Sequence, residues 1–386
     1  MDQETPRIVS ELTPAVPPFE NQESSTLLPP EPEKPFRGLK WIFVGDQGLR
    51  AGWSVAIFFL LFICFVLGIN AAFSALHLVS KQGHLAPKEA FFGELAGFLA
   101  LVLAAGVVAL IERRHILDYN LRGPRRLANF AAGLVTGFAA LSALVGALRL
   151  GGWIQFGPVA LSGSQILTYA LIWAGVFLLV GCVEEGLMRC YLQFTLTRGL
   201  NFWIAAALVA AMCISLLLRS KGNGVWGVYI IALLGLFPCL WLEMTKNPGS
   251  GFWQAAWVTS TFFGFGHTGN NGENWIGIFA AAFIGFVFCV SVWVTGSAWW
   301  AIGCHAAWDW AETYFYGTAD SGLVARGHYL TTSPAGNALW SGGADGPEGS
   351  LLIVPIVLLI LAWLLIIYRR PKAAAISVQA TEPIVN

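Results

Sequence analysis

The feature that most constrains this chain is the recurrence of apolar runs about twenty residues long. At a rise of 1.5 Å per residue, each can cross a hydrocarbon core roughly 30 Å thick. The runs fall at about 52–79, 91–111, 128–148, 165–196, 200–218, 225–243, 252–267, 275–295, 297–316 and 351–368. They predict an all-α fold, a polytopic transmembrane helix bundle of about ten spans. Composition agrees: 56% of the residues are hydrophobic and 11% charged, against about 25% charged in soluble domains. No length is left for a separate soluble domain. The formal net charge is zero, which gives no reason to expect nucleic acid as a partner. The expected partners are membrane lipids and a membrane-associated protein or peptide.

Residues 1–36 hold eight of the 18 prolines. That composition buries too little to order itself and predicts a disordered tail. The segment lacks the basic and apolar regions of a secretory signal. Residues 37–372 are expected to form the helical domain and 373–386 a flexible tail. Ten spans put both termini on one side. Arg113, Arg114, Arg122, Arg125 and Arg126 then share that side with the C-terminal basic residues, so the positive-inside rule predicts cytoplasmic termini. The longest outer loop, about 317–350, is rich in Gly and Ser. All seven cysteines lie in apolar runs without zinc-like spacing and read as small buried hydrophobes.

An ionisable side chain at bilayer depth costs at least about 2.5–3.5 kcal/mol, so one that persists points to function. Three clusters stand out. The first is Glu184, Glu185 and Arg189. Glu185 and Arg189 are i,i+4 neighbours in the favourable order, so Arg189 should hold Glu185 ionised. Glu184 points about 100° away and lacks that partner, which suits a general base. The second is Phe263 and His267, which share a helix face; Gly264 and Gly266 beside them allow close approach of another backbone. The third is His305 and Asp309, where Asp309 could orient His305 or act beside it as a ligand, with Glu312 extending the stripe. Each cluster alone has a bland explanation: a buried ion pair tying helices, an interfacial histidine, a pair that specifies packing. Together they supply a base, electrophilic donors and metal-ligand types, a set suited to hydrolysis of a peptide bond by activated water. Neither GxSxG nor HExxH occurs.

The ordered triple Glu184-Glu185…Arg189, Phe263…His267 and His305…Asp309 resembles the CPBP family, which comprises the type II CAAX prenyl endopeptidases and the bacteriocin-processing and immunity proteins. The likeness covers about 90–320. It implies an intramembrane endopeptidase of CAAX type in a bacterial inner membrane. By this resemblance Glu184 would activate the water, with Glu185 and Arg189 beside it. His267 would assist or bind a metal, and His305 with Asp309 would stabilise the oxyanion or complete a metal site. A divalent metal such as zinc on His267, His305 and Glu184 is one arrangement; an unassisted Glu/His pair is the other. The chain departs from the family pattern by a helical pair inserted at about 200–250, expected to lie at the periphery or to gate substrate entry. Counting 1.5 Å per residue puts Glu184, His305 and His267 at about 18, 12 and 22 Å from the inner surface, a wide spread for one site. Two other functions fit the same residues. One is a proton- or ion-coupled transporter, although no inverted repeat is evident. The other is a catalytically silent scaffold or immunity protein.

Overall fold

A computed structural model describes residues 40–45, 48–79, 87–219, 225–270 and 272–368. The expected tails at 1–36 and 373–386 lie outside the described residues. The chain divides into Met1–Trp41 and Ile42–Asn386, and the bundle and the site lie wholly in the second unit. In lipid each backbone N–H and C=O must be paired within its segment, so the apolar runs form helices.

Ten long helices occupy the ten expected runs among the described residues. They are α1 (Ala51–Ala75), α2 (Pro87–Ile111), α3 (Arg126–Leu150), α4 (Ser164–Thr197), α5 (Phe202–Arg219), α6 (Trp226–Met244), α7 (Ser250–His267), α8 (Trp275–Thr295), α9 (299–316) and α10 (Ile353–Ile367). Seven of them, α1 to α6 and α8, are long and apolar enough to cross a membrane. The other three are shorter or more polar. The count of ten is therefore one of helices, and ten full spans is approximate. The outer surface carries large apolar side chains such as Leu60, Leu110, Trp203, Phe237 and Trp363. That is the pattern expected where lipid, not water, surrounds the bundle. The chain is an integral membrane protein.

Helices α3, α8, α9 and α10 share one apolar core, built on Leu141, Leu144, Phe288, Trp300 and Val357. A second core joins α1, α2, α4 and α7 through Phe58, Leu101, Tyr191 and Phe263. The closest approach is between α3 and α9. A Cβ on Gly133 would collide with the Trp300 carbonyl, and one on Gly137 with the Cys304 carbonyl. Small residues four apart let two backbones meet, and dispersion then replaces the hydrophobic drive that lipid does not provide.

Two helices depart from the continuous α form expected. In α4 the α-helix ends at Glu185 and a π turn runs Gly186–Leu192. In α9 the α-helix ends at Asp309 and a π turn runs Trp310–Tyr316. A π turn holds one residue more than an α turn and is found mostly at functional sites. A further departure is a small antiparallel ladder. Strand β1 (Ile154–Val159) pairs with β2 (Leu330–Pro334), with Ile154 opposite Pro334. It ties the α3–α4 connection to segment 317–350, which folds as a cap rather than a bare loop. The cysteines are all free; Cys190, Cys239, Cys289 and Cys304 are buried, Cys182 and Cys213 partly so, and Cys64, expected to be buried with the rest, is exposed on α1.

Candidate active site

The first cluster sits where α4 changes from α to π. Glu185 and Arg189 are both fully buried, with Arg189 Nε 3.2 Å from Glu185 Oε2. The guanidinium lies 4.5 Å from the Phe263 ring centroid and 5.4 Å from that of Phe288. Two aromatic faces thus share the desolvated cation with one carboxylate. This explains the phenylalanine of the Phe263…His267 motif: its ring lies between Arg189 and His267, whose ring is tilted against it with centroids 4.8 Å apart.

His305 from α9 faces the carboxylates of α4. Its Nδ1 is 2.8 Å from Glu185 Oε1. An ionised carboxylate can only accept, so Nδ1 carries a proton and Nε2 is the nitrogen turned towards the cavity. Nε2 is 3.7 Å from Glu184 Oε2 and 3.5 Å from Asp309 Oδ2. The orientation of His305 therefore comes from Glu185 and not, as the i,i+4 spacing suggested, from Asp309. His267 is held in the same way by its own helix. Its Nδ1 is 2.8 Å from the Phe263 carbonyl, which again fixes the proton on Nδ1. Of the two glycines beside it, Gly264 meets α8 closely, at Ile278 and Ala282, while Gly266 meets nothing within 4 Å.

Glu184, His267, His305 and Asp309 all line one cavity of about 300 Å³. Glu185 and Arg189 lie behind its wall. The spread in depth counted along the sequence is thus bridged by the cavity itself, which reaches all four residues. One apolar wall of the cavity is Trp173, Val176, Phe177 and Val180 of α4, spaced to present one helix face; Ile284, Phe288, Ile353 and Val357 form another. None of the described residues of α5 or α6 lines it.

Six further polar residues line the cavity: Glu94, Asn270, Thr313, Asp320, Ser321 and Glu348. The sequence reading missed Glu94 although it stands inside an apolar helix, the same signal that marked Glu184. Asp320 and Glu348 belong to the cap, where a carboxylate carries no such signal. Glu312 does not extend the His305 stripe. It is fully buried, and its Oε2 accepts from Trp308 Nε1 at 3.0 Å.

The donor chemistry suits a divalent metal, since two histidines with Nδ1 already bonded offer Nε2, and Glu184 offers a carboxylate. Yet among the described residues the group whose donor atoms all lie within 4.8 Å of one another is another one: Glu312, Asp320 and Glu348.

Fold and site together define a polytopic membrane protein with a carboxylate–histidine centre inside its helices. Residues 239–311 match the family model described as Type II CAAX prenyl endopeptidase Rce1-like, in agreement with the resemblance read from the motifs. The matched stretch contains Phe263, His267, His305 and Asp309 and ends well short of Glu184, Glu185 and Arg189 on the N-terminal side. No curated protein and no solved structure matches the chain.

Proposed function

We propose that the protein is an intramembrane endopeptidase that hydrolyses a peptide bond near the C-terminus of membrane-bound, lipid-modified substrates. The observation that carries this reading is the pairing of Glu184 with His305 across one cavity, His305 being fixed from behind by Glu185. The side chain of Glu184 is 39% exposed, whereas that of Glu185 is fully buried. Only Glu184 can therefore meet a water.

In this reading Glu184 takes a proton from water as the oxygen attacks the scissile carbonyl carbon. The C–N bond then breaks, and the proton passes to the leaving amine. The products are a carboxylate and an amine. Protonated His305, or His267, donates to the developing oxyanion, a contact that strengthens as charge develops. Arg189 balances the buried charge of Glu185 so that Glu185 can hold His305 without taking its proton. The apolar face of α4 from Trp173 to Val180 receives the lipid-like part of the substrate. In the alternative arrangement a divalent metal such as zinc would be held by His267, His305 and Glu184, and it would polarise the carbonyl in place of the histidine donors. The setting is a bacterial inner membrane with cytoplasmic termini.

The test compares the termini of membrane proteins by mass spectrometry in cells carrying wild-type protein or Glu184→Gln at matched levels. New C-terminal ends that appear only with wild type are expected. Glu184 is half-exposed and stands 3.7 Å from His305, beyond a close hydrogen bond, so Glu184→Gln should fold and insert as wild type does. Cleavage retained in that variant would remove Glu184 as the base. Identical termini with both proteins folded would remove the protease reading.

A further inference from the structure

Beyond the Glu184–His305 centre, the cavity reaches a second group of carboxylates. Glu312 stands at the end of α9, three residues beyond Asp309. Asp320 and Glu348 come from the two ends of the cap. One carboxylate oxygen from each lies within 4.8 Å of the others.

Each of the three is already steadied by a neutral donor. Trp308 Nε1 is shared between Glu312 Oε2 at 3.0 Å and Glu348 Oε1 at 2.7 Å. Thr313 Oγ1 donates to Asp320 Oδ2 at 2.7 Å. These bonds orient the carboxylates and bring no counter-charge. Glu312 is fully buried, and its second oxygen, Oε1, has no hydrogen-bond partner. Among the described residues, no Lys, Arg or His forms an ion pair with any of the three. A buried carboxylate oxygen with neither donor nor counter-charge is costly to maintain. A cation among the three would remove that cost. Asp320 and Glu348 line the cavity, so a hydrated ion can reach them.

We propose that Glu312, Asp320 and Glu348 form a binding site for a hard divalent cation, calcium by preference, separate from the Glu184–His305 centre. All three donors are oxygens, which excludes the nitrogen and sulfur sets that favour zinc or copper. Calcium accepts carboxylates in mono- or bidentate form and fills its remaining positions with water, here from the cavity. Magnesium demands a stricter octahedron and gives up its waters reluctantly. The bound ion joins both ends of the cap to the helix that carries His305 and Asp309. It therefore sets how firmly the cap closes over the cavity.

The test uses the full chain in detergent, stripped with chelator and then titrated with calcium chloride in equilibrium dialysis. Thermal unfolding is followed in parallel. Wild type and Glu184→Gln should each take up one calcium per chain, with an unfolding midpoint that rises with calcium. Affinity in the range of about 10⁻⁵–10⁻³ M is expected for so few charged ligands. Asp320→Asn and Glu348→Gln, both on the cap and only partly buried, should each weaken uptake about tenfold or more. No uptake by folded wild type up to about 10 mM would overturn the proposal. So would uptake that survives in Glu348→Gln and vanishes in Glu184→Gln, because the ion would then belong to the other centre. Uptake unchanged in both cap variants would overturn it as well.

Discussion

Arg189 shows what one side chain must do when it has no water to turn to. It spends its charge on Glu185 Oε2 and on two aromatic faces. Replacing Arg189 with Met leaves Glu185 buried and uncompensated, a defect that costs about 3–5 kcal/mol. The unfolding midpoint in detergent should fall clearly. The double variant Arg189→Met with Glu185→Gln should recover most of that loss, because no unpaired charge remains. Activity should not recover, since the neutral amide introduced by Glu185→Gln holds His305 less well than the carboxylate does. A double variant no more stable than Arg189→Met would show that the pair is not what carries the stability. Residues of this kind were legible in the sequence because a charge inside an apolar run stands out from its neighbours. Glu94 satisfied the same criterion but had no partner at helical spacing to draw attention to it. Asp320, Asp345 and Glu348 were not legible at all: in a Gly- and Ser-rich stretch a carboxylate is ordinary, and only the packing of the cap brings these three near one another.

At the level of elements, the helices were legible almost to their ends, because apolar length is a strong signal. The β1–β2 ladder was not, since two short strands from distant connections leave no local pattern. Nor were the two π turns, because Glu185 and Arg189 are four residues apart whether the turn is α or π. Helix contact is testable through α3. Gly137→Leu places a side chain against the Cys304 carbonyl of α9 and should separate the two helices. Overpacking alone costs about 1–3 kcal/mol, and a backbone collision should cost more. At Gly146, on the same helix, an added Cβ meets nothing within 4 Å, so Gly146→Ala should behave as wild type. The readout is the yield of monodisperse protein in detergent and its unfolding midpoint. Equal behaviour of the two variants would mean that α3 and α9 do not meet as described.

For the molecule as a whole, the cap is tied to α8 and α9 through carboxylates, and this makes its hold sensitive to pH. Burial pushes Glu273 up to about 9, with Asp345 and Glu348 adding to the effect. Burial likewise pushes Asp345 up to about 7. Both groups hold their protons more tightly folded than unfolded, so stability falls as pH rises from about 4 towards 9. Below that window both states are protonated, and the full stability remains. Glu273→Gln should flatten the upper part of the profile, and Asp345→Asn the lower part. Midpoints that stay level across this range in wild type would contradict the burial of these groups. The two π turns have a wider consequence. Each marks a place where the chain carries one residue more than an α-helix would need, and the two places are Gly186–Leu192 and Trp310–Tyr316. Deleting a single residue from either should let it relax to α, with the helix on both sides keeping its facing and only the residues of the turn losing theirs. Arg189 in the first turn would then leave its place against Glu185, 3.2 Å away, and Glu312 in the second its place against Trp308. A chain with one residue fewer at either point should insert into the membrane and fail to assemble its centre. Single-residue length at these two positions is therefore as much a property of the site as the identity of Glu184 or His305.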